Sequence, residues 1–291
     1  MQFLAYILVY PLLWCISILP FKLLYFLSDL LYVLVYHIIG YRKATVTYNL
    51  NLVFPNKSAS EILDIKKAFY RHLCDMFLEM AKTMTISKNQ LQKRFHIKNP
   101  EEFKRLETLN KSIILIFGHY ASWEWAISVQ NYINFKGLGV YKQLANPYFD
   151  TLVKRIRSRF NTELISTKLI VNTISQLEQN NQRNITGFLS DQSPKLGKEV
   201  YWGQFMGIKV PCYTGAERLA KQLDLSTAYL KVTKVKRGFY EAEIITLAED
   251  SRIYNNYEIT DMFLREVEKQ IHAAPQYYFW THKRWKHMKA K

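Results

Sequence analysis

The stretch SIILIFGHYASWEW, Ser112 to Trp125, runs from an apolar, β-branched segment through Gly118-His119 into residues with helical spacing. A short apolar run bounded in this way predicts a buried strand. In α/β proteins ligands gather outside the carboxyl ends of strands, so His119 stands where chemistry is usually placed. Working outward, LGVY, ELIST, NITGFLS, LSTAYLKVTKV and FYEAEIITLA repeat the pattern of short strand-like runs separated by helical stretches. That alternation predicts an α/β fold: a mixed, largely parallel sheet flanked by helices. The last two runs, joined around Lys236-Arg237-Gly238, predict an antiparallel hairpin at the edge of the sheet.

Upstream, Tyr41 to Gln92 is helical in pattern, with AFYRHLCDMFLEMAKTM placing apolar residues three and four apart. Met1 to Phe21 carries no charged side chain, close to the ~20 residues a membrane helix needs. It lacks the basic start and small-residue cleavage site of a signal peptide. Pro11 leaves open whether it crosses the bilayer or bends into the interface. Phe21 to Ile39 contains Lys22, Asp29 and His37 and is expected to be an interfacial or buried helix. The expected organisation is an N-terminal membrane anchor over residues 1–39, one span plus an interfacial helix, and a domain over 40–291. Arg42, Lys43 and the basic residues beyond place that domain in the cytoplasm by the positive-inside rule.

The chain has 291 residues, within reach of a single hydrophobic core, and a formal net charge of +16. That charge attracts anions of any kind: lipid headgroups, phosphorylated substrates, acidic proteins or nucleic acid. No helix-turn-helix, zinc-knuckle or RNP pattern accompanies it, so nucleic acid is not an expected partner. Cys15, Cys74 and Cys212 are widely spaced and have no histidine placed beside them as a zinc site requires, so no metal site is expected. The tail THKRWKHMKAK is basic and by default a solvated or membrane-facing surface.

Inside one helix, His119 and Glu124 would point about 140° apart. They can meet only if His119 precedes the helix and Glu124 reaches back from its first turns. A carboxylate on one ring nitrogen fixes the tautomer and makes the other a better general base. On these residues alone, a histidine at a strand end beside a solvated glutamate is the plainer reading.

The hexapeptide His119-Tyr120-Ala121-Ser122-Trp123-Glu124 resembles the His-x4-Asp/Glu motif of the glycerolipid acyltransferase superfamily. Further ordered segments are similar to one branch, the lipid A late acyltransferases, which add secondary acyl chains. These are Arg42-Lys43 with Asn49-Leu50 and Phe54-Pro55, then Glu79, then Tyr141-Lys142 with Asn146-Pro147 and Asp150. Arg155, Arg157 and Arg159 follow, then Ser190-Asp191-Gln192, Pro211 with Thr214-Gly215, and a closing run from Pro275 through Trp280, His282, Arg284 and Lys286. Trp285 stands where phenylalanine is common, and Asn161 where glycine is expected.

The resemblance implies a glycerolipid acyltransferase-like fold and transfer of a fatty acyl group from acyl carrier protein to a hydroxyl of a lipid A precursor. It casts His119 as general base, Glu124 as the group that orients it, and Arg157, Arg159, Lys142, Asp191 and Gln192 as substrate-binding residues. No cofactor is implied beyond the donor's own phosphopantetheine on acyl carrier protein. The implied location is the bacterial inner membrane, with the catalytic domain facing the cytoplasm. O-acylation of another membrane lipid, an aminolipid or lysophospholipid, would use the same residues; a membrane-tethered basic binding protein is the reading from another class.

Overall fold

Two apolar helices lead the chain: α1 (Gln2–Ile18) and α2 (Phe21–Tyr32), the latter continuing as a π-helical segment (Val33–Ile39) that ends at Gly40 in the left-handed conformation. The computed structural model describes residues 2–197 and 200–288. Among these, Phe21–Ile39 is the helix long and apolar enough to cross a membrane, with 19 residues against 17 for α1. At 1.5 Å per residue the second is about 28 Å long and the first about 25 Å. Length therefore favours the second segment as the span, where charge alone favoured the first.

Both helices expose apolar side chains, among them Leu8, Leu12, Phe26 and Ile38. They are nonetheless bonded to the body. Lys82 Nζ donates to the Ser17 and Leu19 carbonyls (2.7 and 2.8 Å), Ser28 Oγ donates to Asp75 (2.7 Å), and Arg237 bridges Asp29 and Asp75.

Two helices, α3 (Lys43–Val53) and α4 (Ala59–Lys82), come next. A capping box starts the second, Ser58 accepting from the Glu61 N–H while Glu61 accepts from the Ser58 N–H. Short elements α5 (Lys88–Arg94), β1 (Phe95–Ile97) and α6 (Pro100–Thr108) lead to β2 (Ile113–Phe117). A 3₁₀ helix (Trp123–Asn131), β3 (Lys136–Tyr141), α7 (Pro147–Arg157), β4 (Thr162–Ser166), α8 (Ile170–Gln179) and β5 (Asn184–Leu189) complete the parallel part. Then follow a ribbon of β6 (Tyr201–Phe205) and β7 (Ile208–Cys212), α9 (Gly215–Leu223), β8 (Ser226–Lys236), β9 (Phe239–Ala248) and α10 (Glu258–Ala273).

The main sheet runs β1-β9-β8-β2-β5-β3-β4, and its one antiparallel pair is β8 with β9. The expected mixed, largely parallel sheet is what forms. The hairpin is not at the edge, however, because three-residue β1 pairs with β9 outside it. Strand β2 lies between parallel partners β5 and β8, and Ile113, Ile114, Leu115 and Ile116 are all buried, as an unbroken apolar run requires.

The segment after α10 folds back as a strap across the carboxyl end of β2. Tyr120 and Tyr278 form an antiparallel bridge, the Phe279 N–H donates to the His119 carbonyl (3.0 Å), and the Ala121 N–H donates to the Tyr277 carbonyl (2.9 Å). Behind the strap, Asn49 Nδ2 donates to the Trp280 and His282 carbonyls (2.9 Å each), and Arg42 donates to that of Thr281 (3.0 Å).

The tail is only in part a solvated surface: Lys283, Lys286 and Met288 are exposed, but other residues of its described part are not. Arg284 and Trp285 are fully buried: Arg284 donates to the Pro211 carbonyl (2.9 Å), and Trp285 stacks between Phe205 and Trp280. Lys289, Ala290 and Lys291 lie outside the described residues.

Asn49 is buried and its amide satisfies two strap carbonyls, each of which costs about 1–3 kcal/mol if left unpaired. Asn49→Ala is expected to lower the unfolding free energy by about 2–4 kcal/mol. Chemical denaturation measures this, and a change below about 0.5 kcal/mol would mean that the strap is held elsewhere.

Candidate active site

Strands β2 and β5 are parallel neighbours with Phe117 opposite Leu189. His119 and Asp191 each stand two residues beyond that pair, so the strand register carries both to the same place. His119 Nδ1 meets Asp191 Oδ1 at 2.6 Å; the Asp191 side chain is buried and that of His119 remains 17% exposed. Burial pushes the Asp191 carboxyl up, but the His119 charge and hydrogen bonds from His119 and the local backbone hold it below the usual carboxylate range. An ionised carboxylate can only accept. Nδ1 therefore donates to Asp191, and Nε2 makes no hydrogen bond among the described residues. A carboxylate on Nδ1 directs the lone pair of a neutral imidazole to Nε2, the arrangement a general base needs.

The loop around His119 is shaped by close approaches. A Cβ at Gly118 would stand 3.3 Å from Val267 of α10 and 3.7 Å from the Asp191 carboxyl carbon. Ala121 adopts φ +50°, a left-handed conformation that costs a non-glycine residue roughly 1–2 kcal/mol. The strap's hydrogen bonds to His119 and Ala121 offset that strain. The imidazole packs edge-on against Trp123 (5.2 Å) and stacks on Phe279 of the strap (6.0 Å).

The expectation that Glu124 orients His119 is corrected. Glu124 is held bidentately by Arg157, Nε to Oε2 at 3.0 Å and Nη2 to Oε1 at 2.5 Å. The cause is the 3₁₀ helix that begins at Trp123 and the placement of α7 alongside it, which set a planar guanidinium against the carboxylate, its best geometric match. Arg159 donates to the Thr83 carbonyl at the end of α4. Both arginines singled out for substrate thus have protein partners. Gln192 follows Asp191 and is half-buried, while Lys142 is exposed just beyond β3. Asn161 takes the left-handed conformation (φ +62°), which explains asparagine in place of glycine.

His282 lies in the same cluster, its Nε2 accepting the Ser193 N–H at 3.2 Å. Burial pushes its pKa down to about 4, the nearby Asp191 opposing this and His119, Arg284 and Lys286 adding to it. Neither Ser193 nor His282 drew attention in the sequence as part of one cluster, since 89 residues separate them.

Two apolar cavities meet at the Glu124–Arg157 pair. One, about 90 Å³, lies between the 3₁₀ helix and the sheet, with Phe117, Trp123, Val140, Leu164 and Leu189 among its walls. Its floor includes Gly139 and Gly187, paired directly across β3 and β5. A Cβ at Gly139 would press to 2.9 Å from Leu164. The other, about 230 Å³, lies between α1, α4 and α7. Glu124, Ile127 and Arg157 wall both.

A protein-family model described as bacterial lipid A biosynthesis acyltransferase matches residues 1–287. The chain is 22% identical over 289 residues to the lipid A biosynthesis palmitoleoyltransferase of Escherichia coli (strain K12), covering 94% of this chain and 88% of that protein. The lipid A biosynthesis acyltransferase of Shigella flexneri matches with the same figures. The lipid A biosynthesis lauroyltransferase of Escherichia coli (strain K12) is 22% identical over 275 residues, covering 94% and 89%.

Asp191→Asn removes the charge that fixes and steadies the imidazole, and is expected to lower kcat by ~10²–10⁴-fold with little change in KM or thermal midpoint. Turnover within tenfold of wild type would make the contact purely structural.

The pH dependence of stability follows from His282. Its folded pKa lies below the ordinary 6.5, so between about 4 and 6.5 the unfolded chain binds a proton that the folded chain does not. This contribution is fully present above pH 6.5 and lost as pH falls towards 4. Glu79, pushed up to about 7 by burial, acts with the opposite sign between 4.5 and 7. His282→Gln, which keeps an acceptor for Ser193, is expected to lose less stability than wild type between pH 7 and 4.5. Thermal midpoints at the two values check this, and an unchanged difference would remove His282 as the cause.

Proposed function

The chain belongs to the bacterial lipid A biosynthesis acyltransferase family, and on that premise we propose that it moves a fatty acyl group from acyl carrier protein to a hydroxyl of a lipid A precursor, with His119 as the general base. The observation that carries this reading is the buried Asp191 on Nδ1 of a partly exposed His119, which leaves Nε2 to act on substrate.

His119 Nε2 takes the proton of the acceptor hydroxyl as its oxygen attacks the thioester carbonyl carbon. The ester C–O bond forms, the C–S bond breaks, and the imidazolium returns the proton to the departing sulfur. Asp191 steadies the imidazolium throughout. Glu124 positions Arg157, whose guanidinium has five N–H donors, two of them used by Glu124. The remaining donors serve the carbonyl oxygen as negative charge gathers there. Ser122 has Tyr120 and Glu124 where a nucleophile elbow carries its two glycines, which favours direct attack over an acyl-enzyme.

The sheet-lined cavity takes the chain being transferred. The net charge of +16 suits an acidic carrier protein and a phosphorylated lipid, with Lys142 and Gln192 at the site's rim. The N-terminal helices hold the enzyme in the inner membrane with its body, from residue 40 onward, on the cytoplasmic face.

The test uses the full-length protein in detergent micelles with an acyl carrier protein thioester and a lipid A precursor, following the mass gain of one acyl group. His119→Ala is expected to lower kcat by ~10²–10⁴-fold. Equal product from that variant would overturn the base assignment, and product from a coenzyme A thioester alone would overturn the donor.

A further inference from the structure

The second cavity is built partly from α1, a helix otherwise read as an anchor. Phe3 and Tyr6 pack on Tyr148 (5.1 and 5.7 Å), Tyr6 meets Phe149 edge-on (5.6 Å), and Asn146 Nδ2 donates to the Gln2 carbonyl (3.2 Å). These contacts lay α1 along α7. Between them and α4, Leu13, Phe77, Met80, Val153 and Ile156 enclose an apolar space of about 230 Å³ that ends at Glu124 and Arg157.

Three features identify its occupant. The space is apolar apart from that ion pair and far exceeds the ~10–15 Å³ that one water needs, so it suits hydrocarbon. Its wall α1 exposes Leu8, Leu12 and Trp14 on the outside, and α4 exposes Phe77, so it is continuous with an exposed apolar surface of the kind a bilayer covers. It also shares Glu124, Ile127 and Arg157 with the sheet-lined cavity, so two chains lying in the two cavities would converge on one ion pair. Transfer to a hydroxyl carried on a hydrocarbon chain needs such convergence, because the oxygen and the thioester carbon must meet with a chain attached to each.

We propose that the cavity between α1, α4 and α7 holds the hydrocarbon chain of the acceptor that bears the reacting hydroxyl. The inference rests on the acyl-transfer reading above and assigns α1 a substrate-binding role in addition to membrane attachment. The acceptor's chain enters from the bilayer between α1 and α7 and presents its hydroxyl beside Arg157, while the transferred chain lies against Gly139 and Gly187.

Val153 lines this cavity and not the other. Each methylene kept out of an apolar site weakens binding about fourfold. Val153→Trp, filling space for two or three, is expected to raise the acceptor KM roughly 15- to 60-fold, with the donor KM and donor chain-length preference unchanged. A changed donor preference would show that the cavity holds the donor chain, and unchanged constants would show that it holds neither; both overturn the proposal. Leu13→Trp repeats the test from α1 in case the first variant misfolds.

A second measurement needs no turnover. A lipid A precursor carrying a diazirine in its hydroxyl-bearing chain is photolysed with the wild-type protein, and the labelled peptides are identified by mass spectrometry. Labelling of α1 and of Val153–Ile156 supports the proposal, while labelling confined to β3 and β5, or none, overturns it. Failure of the acyl-transfer reading is seen separately, as absence of acylated product from the wild-type enzyme.

Discussion

Two backbone hydrogen bonds, Phe279 N–H to the His119 carbonyl and Ala121 N–H to the Tyr277 carbonyl, fix the loop on which the candidate site depends. The loop leaves a central strand, turns at Gly118 under α10, and passes through a left-handed alanine. Nothing local to SIILIFGHYASWEW supplies partners for those backbone groups. They come from a strap more than 150 residues later, itself held by Asn49 and Arg42 near the start of the chain. The position of one imidazole is thus the joint product of β2, β5, α3 and the strap.

Electrostatics divides the site in two. Asp191 carries a buried negative charge and directs it to one ring nitrogen, so its effect is confined to His119. Glu124 spends its charge on Arg157, which neutralises both groups where two apolar cavities meet. Hydrocarbon tolerates a paired, bidentate ion pair far better than a lone charge. A glutamate at this position therefore both restrains a guanidinium and keeps the junction of the cavities close to neutral.

Much of the fold was legible because burial writes itself into composition. The apolar run of β2, the alternation around it and the Gly238 turn each reflect a local requirement, and each formed as expected. Elements stabilised from a distance were not legible. Strand β1 is three residues long and exists through its pairing with β9. The β6–β7 ribbon turns at Met206-Gly207, both with positive φ, outside the usual Asn-Gly or Asp-Gly signal. The tail THKRW looked solvated because its charges are visible in sequence and its hydrogen bonds to Pro211 and Ser193 are not. The same blindness misassigned the partner of His119. Glu124 is near in sequence, whereas Asp191 is near only because two parallel strands are in register and both residues stand at the same offset beyond them. Arg157 and Arg159 looked available to a phosphate for a like reason, their partners lying 33 and 76 residues away.

The strap also sets an order of events during synthesis. A nascent chain can lay down its apolar helices and most of its sheet before Tyr277–Trp285 emerges, but the His119 loop has no backbone partners until then. Contacts of such sequence separation form slowly, because a long loop must close before they return any stabilisation. The apolar N-terminal helices are therefore complete before the candidate site is, and the chain exists as a scaffold before the His119 loop takes its final shape.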